Sequence, residues 1–399
     1  MVKIAPFEVE QWMDRFENTP GVLNIAETCS ASVSIDELVE LCADRTAPGP
    51  LALSTKLTYG HIRGSTKLRQ QIATLLNKNS PTADSLQVEN IVITQGAIAA
   101  NFLLFFTLIG PGDHVICVYP AYQQLYAVPE SLGAEVSLWR LQYESGYVPN
   151  VKELQGLVRS NTKLIVINNP NNPTSSTIPV SVLHEIVAFA EPRGITILSD
   201  EVYSPLYHSL PNGQPPPPSI VALGRGKTVS TGSMSKAFSL AGIRIGWIAT
   251  RDRDLIEAVV AARDYNAISV SQLDDQVATY ALSNLVLPSL LERNMLLAQK
   301  NLALLGAFVE KFSSVCSWVK PTAGTTAFIL FKKKGEPVDD EDFAINLLKK
   351  TSVLFTAAHR CFGLGKDFRG FVRIGYVCHT EVLQEGLNRL GGYLEKYLL

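Results

Sequence analysis

The chain has 399 residues, 46% of them apolar and 18% charged, a balance that supports a large buried core and excludes a fibrous or natively disordered polymer. Lys and Arg total 35 against 37 Asp and Glu, a net charge of −2, so no basic field exists to hold nucleic acid or an acidic membrane. Small-molecule chemistry becomes the default.

The N-terminal stretch MVKIAPFEVEQWMDRF is acidic and broken by polar residues, without the apolar run of a secretory leader or the Arg-rich pattern of an organellar one, so a cytoplasmic location is expected. The first 45 residues look too short to fold alone and are expected to join the C-terminal part. Short β-rich runs then alternate with helical stretches: 91–94, 114–118, 134–139, 163–168, 194–200, 228–233 and 244–249. That alternation is the pattern of an α/β unit with a mostly parallel sheet between helices. The run AIAANFLLFFTLIG (97–110) falls short of the roughly 20 residues that a bilayer needs and reads as a buried helix. PNGQPPPPS (211–219) reads as a stiff surface loop. Residues 253–312 are helical by pattern, and 316–399 mix strands (TAFILF, FVRIGYV) with helices in an α+β manner. The expected division is a large domain over 46–284 and a small one formed by 1–45 with 285–399. The six cysteines, Cys29, Cys42, Cys117, Cys316, Cys361 and Cys378, have no C-x-x-C pair and read as reduced and mostly buried. No histidine has metal-ligand spacing, so no metal is expected.

In open α/β sheets the ligand crevice lies at the carboxyl ends of the strands, and several runs end there in turns with chemical character. In STGSMSKAFSLAGIR, Lys236 follows a strand among small hydroxyl residues, where a desolvated lysine is suited to Schiff-base chemistry; taken alone it reads equally as an exposed loop lysine. Asp200 and Tyr203 leave the end of an apolar strand together, and a buried carboxylate there needs a cationic partner, or else caps the next helix. Asn172 sits in NNPNNPTS, a rigid turn at another strand end. Gly96-Ala97-Ile98 opens a long helix directly after a strand, where backbone N–H groups and the helix dipole can hold a phosphate. The chain has neither a G-x-x-x-x-G-K-[ST] loop nor a G-x-G-x-x-G after a strand, and no G-x-S-x-G elbow, which sets aside nucleotide loops and hydrolase chemistry.

Taken together, the order Tyr59, Gly64, Leu68-Arg69, Gly96-Ala97, Tyr122, Asn172-Pro173, Asp200/Tyr203, Ser233/Lys236, Arg244 and Arg373 resembles the class I/II aminotransferases, the fold-type I enzymes that use pyridoxal 5′-phosphate. The resemblance implies a mostly parallel seven-stranded sheet and a smaller α+β domain. It implies that Lys236 holds the cofactor as a Schiff base and then shuttles the substrate proton, and that Asp200 keeps the pyridine nitrogen protonated. Asn172 and Tyr203 would hydrogen-bond the ring's phenolate oxygen, and Tyr122 would stack on the ring face. The phosphate would rest on Gly96, Ala97, Ile98, Ser233 and Arg244, with Tyr59 reaching in from the second subunit of a homodimer. Arg373 would grip the α-carboxylate of the amino-acid or 2-oxo-acid substrate.

Three departures mark this chain. Ser175 stands where the family usually has the glycine of NPTG, which suggests a reshaped turn. Ala99 and Ala100 replace residues that are polar in many members. The segment NIAETCSASVS lacks the glycine that many aminotransferases place beside the substrate carboxylate, and offers Glu27, Thr28 and Cys29 instead. With this segment the chain also resembles a subgroup of capreomycidine-synthase-like and arginine-oxidising enzymes, in which Glu27 would pair with a cationic side chain. Oxidation or cyclisation of an amino acid is therefore the alternative to transamination. His359 with Arg360 lies where family members place a loop near the substrate. No helix-turn-helix domain is appended that would mark a regulator using the same fold.

Overall fold

The computed structural model describes residues 4–78, 85–211, 213–224 and 226–399; Asn212, in the proline-rich loop, lies outside them. Seven β-rich runs form one sheet: β1 (Ile91–Thr94), β2 (His114–Tyr119), β3 (Glu135–Arg140), β4 (Thr162–Asn168), β5 (Thr196–Asp200), β6 (Thr228–Ser233) and β7 (Gly246–Thr250). Their order is β1-β7-β6-β5-β4-β2-β3. The pairs from β6 through β3 are parallel, and β7 runs antiparallel to both β6 and β1. β2 and β6 are buried at every position, as strands covered by helices on both faces must be.

Two strands start two residues later than the sequence expectation, each for a backbone reason. Gly194 adopts φ 65 and closes the preceding turn, so β5 begins at Thr196. Arg244 sits in the left-handed region at φ 51, a conformation no strand contains, so β7 begins at Gly246.

The helix from Gly96 to Leu108 carries an apolar face against the sheet, burying Ala100, Leu103, Leu104 and Phe105. The long helix Leu287–Lys311 buries Leu290, Asn294, Ala298, Asn301 and Leu305 along one stripe, the spacing of an amphipathic helix, and leads into a second sheet. There Thr326–Lys333 pairs antiparallel with Phe371–Gly375, which in turn pairs with Thr356–Ala357. In the N-terminal segment, Leu23-Asn24 pairs in parallel with Val353-Leu354. Ahead of it, α1 (Glu8–Phe16) docks through buried Trp12, whose indole N–H donates to the Phe355 carbonyl at 3.0 Å. Among the described residues no helix is long and apolar enough to cross a membrane.

Candidate active site

The carboxyl ends of β1, β2, β4, β5 and β6 open on one edge of the large sheet, and a cavity of about 620 Å³ lies over that edge. Its size suits a cofactor with a small substrate. Ala97, Ile98, Tyr122, Asn172, Asp200, Tyr203, Ser233, Lys236, Arg244, Arg373, Glu27 and Thr28 all line it. These twelve nominated residues, from seven separate segments, thus converge.

The floor is built from the ends of β5 and β6. Asp200 is buried, accepting hydrogen bonds from the Asn101 side-chain amide at 2.8 Å and from the Val202 N–H at 3.1 Å. Burial pushes its carboxyl up, against the opposing effects of Asn101, the Val202 N–H and Lys236. Asn101 is itself held, accepting from Thr231 Oγ1 at 2.8 Å. Sequence reasoning passed over Asn101, although a lone amide among the apolar positions of GAIAANFLLFFTL was the available signal. Tyr203 is 1% exposed, and burial raises its hydroxyl pKa, with Lys236 and Arg373 working the other way.

Lys236 projects into the cavity from the loop after β6. Its Nζ donates to Thr28 Oγ1 at 2.6 Å and lies 3.4 Å from Cys29 Sγ and 3.6 Å from Glu27 Oε1. Burial works to lower the ammonium pKa, but Cys29, Glu27 and Tyr203 outweigh it and the net shift is upward. Burial would likewise raise the Glu27 carboxyl, yet Lys236, the Cys29 side chain and the N–H groups of Thr28 and Cys29 pull it down to about 2. Glu27 remains open to solvent through the cavity mouth, with a side-chain exposure of 45%. The segment that carries it is wedged between the two sheets: Ser30 N–H donates to the Lys236 carbonyl and Gly375 N–H to the Ile25 carbonyl. A Cβ on Gly375 would stand 1.6 Å from the Glu27 carbonyl oxygen, so only glycine permits this approach.

At the opposite end of the floor, Gly96 takes φ 81, and a Cβ there would meet Arg244 Nη2 at 2.7 Å. Gly246 in β7 is equally constrained, since its Cβ would fall 2.5 Å from the Ala97 nitrogen. The two glycines bring the helix N-terminus and the Arg244 guanidinium together into an anion cradle. Arg244 Nη1 donates to the Ala241 carbonyl at 2.8 Å and contacts Ser235 Oγ at 3.4 Å, and Ser235 Oγ is joined to Ser233 Oγ at 2.8 Å. Ser235 is a second residue that the sequence reading missed.

Arg373, in the strand Phe371–Gly375, is 4% exposed and, among the described residues, pairs with no carboxylate. Its Nη2 donates to the Ala26 carbonyl at 3.0 Å and its Nη1 to Asn172 Oδ1 at 3.3 Å. Its Nε has no partner. A buried guanidinium without a counter-ion is costly.

Other nominated residues fall elsewhere. Tyr122 lines the cavity but packs on Phe7 at 4.8 Å between ring centroids and donates its hydroxyl to Glu10 at 2.6 Å. Tyr59 is 77% exposed and does not line its own chain's cavity. His359 and Arg360 stay out of the cavity: His359 Nδ1 lies 2.9 Å from the Asp367 carbonyl, and Arg360 pairs with Glu8 and Glu341. Ser175 keeps φ 51, and its hydroxyl offsets the strain by accepting the Thr326 N–H at 3.0 Å and bonding Thr326 Oγ1 at 2.8 Å. Among the described residues no cluster of metal ligands exists.

Residues 40–390 match the family model for aminotransferase class I and II. The chain belongs to that family. It is 36% identical to a PLP-dependent aminotransferase from Streptococcus suis 89-1591, with a TM-score of 0.88 over 99% of each chain. It is 29% identical over 300 residues to capreomycidine synthase from Streptomyces vinaceus, covering 74% of this chain and 72% of that protein. A probable N-acetyl-LL-diaminopimelate aminotransferase from Bacillus subtilis strain 168 is 27% identical over 333 residues, covering 84% and 80%. The fold is therefore fold type I, and the protein is a pyridoxal phosphate-dependent enzyme of the aminotransferase type. The residues present fit that cofactor: among the described residues the buried carboxylate of Asp200 forms no ion pair, which a protonated pyridine would supply, and the Gly96/Arg244 cradle suits a phosphate monoester.

Proposed function

We propose that this enzyme moves the amino group of an α-amino acid to a 2-oxo acid. The observation that carries the reading is Arg373, a buried guanidinium with an unpartnered Nε in the same cavity as Lys236 and Asp200. A substrate carboxylate is the anion that completes it.

Pyridoxal phosphate, when bound, supplies an aldehyde for the substrate amine and a ring that draws electrons from the substrate Cα. Asp200 would hold the ring nitrogen's proton, with Asn101 fixing the orientation of that carboxylate. Asn172 and Tyr203 would donate to the ring's phenolate oxygen, and Tyr122, which lines the cavity, would pack against the cofactor. Gly96, Ala97, Ile98, Ser233 and Arg244 would hold the phosphate. Lys236 Nζ would hold the cofactor and is the base in the cavity that would take the proton from the substrate Cα; Thr28 Oγ1 accepts from Nζ at the cavity floor. Arg373 orients the α-carboxylate so that the Cα–H bond faces Nζ. The chain works as a homodimer in which Tyr59 reaches the partner's phosphate, a reading supported by its exposure beside exposed Leu53, Leu57 and Ile62.

Similarity to capreomycidine synthase favours a second reading, in which the enzyme oxidises or cyclises its amino acid. The two separate by stoichiometry. Transamination yields one amino product per 2-oxo acid consumed and proceeds without air; oxygen uptake matched to amino-acid loss, or a cyclised product formed with no acceptor, overturns it in favour of the second.

A further inference from the structure

A second buried guanidinium lies outside the active-site cavity. Arg263, at the end of the helix Arg253–Arg263, is 3% exposed. Its Nη1 donates to the Ile93 carbonyl at 3.2 Å. Nε and Nη2, whose N–H groups run side by side along one edge of the guanidinium, have no hydrogen-bond partner. Among the described residues no carboxylate forms an ion pair with Arg263. Burial is the main influence on its pKa and lowers it, with smaller and opposite effects from Asp264, which is exposed, and from Arg63.

Arg263 lines a void of about 10 Å³, room for a single particle the size of a water. Ile93, Leu103 and Val270 give that void apolar walls, and Asn266 and Ser269 add polar groups. Gln95, Ala99 and Asn266 also line a neighbouring, mostly apolar groove of about 420 Å³, which provides a way in. A guanidinium does not shed its proton, so a water in the void would leave a buried positive charge uncompensated. An anion removes that cost, and two parallel N–H donors are the arrangement with which arginine recognises one.

The position of the void gives an occupant a structural task. Ile93 belongs to β1, which runs directly into the Gly96/Arg244 cradle, and Thr94, which also lines the void, donates its hydroxyl to the Gly96 carbonyl at 3.0 Å. On the other side, the Arg263 carbonyl accepts the N–H groups of Asn266 at 2.8 Å and Ala267 at 3.0 Å. Arg263 therefore ties the strand ahead of the cradle to the turn that ends its own helix.

We propose that the void beside Arg263 is a binding site for a halide-sized anion such as chloride, held by Nε–H and Nη2–H, which stiffens the rear of the phosphate cradle. The site is independent of which reaction the cavity performs.

Bromide, the heavier stand-in for chloride, tests the site directly. Crystals of the holoenzyme grown without halide and soaked in bromide should show an anomalous peak within hydrogen-bond distance of Arg263 Nε and Nη2. In solution, exchanging sodium gluconate for sodium chloride at constant ionic strength should raise the Tm of the holoenzyme by about 2 °C once chloride exceeds its Kd about tenfold. The same exchange should slow cofactor loss in dialysis several-fold. Arg263→Lys keeps the charge but loses the paired donors, and should abolish both responses. A water at that position with no anomalous signal, or a carboxylate of a second copy seated on the same edge, overturns the proposal. So does a chloride response equal in wild type and Arg263→Lys. A bromide peak with no change in Tm or cofactor retention marks an adventitious ion only and overturns the structural role. Where the variant fails to fold, the bromide map and the wild-type chloride series decide.

Discussion

The floor of the cavity and the wall that α1 gives it hold the same residue type in different ways. On the floor, Asp200 is a buried carboxylate with fixed donors, itself steadied by an amide that a threonine holds. On the wall, Asp14 and Glu17 stand on a single helix that is anchored by Trp12, by Glu8 with Arg360, and by Gln123, which accepts the Glu8 N–H at 2.9 Å and donates to the Pro6 carbonyl at 2.7 Å. A fixed, desolvated group controls protonation, because burial magnifies every interaction it makes. A solvated group at the mouth acts through net charge, which water and salt screen.

Breaking the floor should have the largest effect. Lys236→Ala removes both the cofactor attachment and the proton carrier, and turnover should fall about 10⁴-fold or more, with loss of the visible absorbance of the bound cofactor. Arg373→Ala leaves a substrate carboxylate without its counter-ion, and kcat/KM should drop by about 3–5 kcal/mol of transition-state stabilisation, measured with any amino acid the enzyme accepts. A uniform loss of kcat with unchanged KM would contradict a binding role.

Detaching the wall should be milder and local. Trp12→Ala deletes a buried indole and its hydrogen bond to Phe355, a loss of about 3 kcal/mol concentrated in α1. Limited proteolysis should then cut before residue 23 while the remainder stays resistant. The junction between the two sheets adds a pH effect. Buried His208 lies 2.7 Å from the Tyr376 hydroxyl and 3.1 Å from the Gly324 carbonyl, and burial lowers its pKa from 6.5 to about 4. The unfolded chain therefore binds this proton more readily, so stability is full above about pH 6.5 and declines as the pH falls toward 4, by about 3 kcal/mol in all. His208→Gln should flatten that part of the acid limb in thermal melts. The smallest expected effect is at Asn101→Ala, which strips one donor from Asp200 and should cost about 1–3 kcal/mol, read as weaker cofactor retention in dialysis.

Much of this was legible in the sequence because it lies where periodicity and turn chemistry meet. Each strand end is announced by an apolar run that stops at a polar turn, and Lys236, Asp200, Asn172 and Gly96 all occupy such stops. Arg373 stood out as one charge in an apolar strand. The rest depended on distance in space. Asn101 reaches Asp200 across 99 residues, Ser235 matters through Arg244, and Tyr122 meets Glu10 only because α1 packs where it does. Ser175 shows the limit of a local rule: a side chain at positive φ is penalised, but its remedy lies in Thr326, 151 residues away. The acidic wall was hidden for the same reason, since nothing in EVEQWMDRFE tells a solvent-facing helix from one that faces a cavity.

The most direct test of the account is an anaerobic titration of the purified holoenzyme with single amino acids, followed by its visible absorbance. An amino acid should shift the cofactor band, and a 2-oxo acid added without air should restore it with formation of the matching amino acid. A band that stays altered until oxygen enters, with oxygen consumed in step with the amino acid, would contradict amino transfer as the reaction of this cavity.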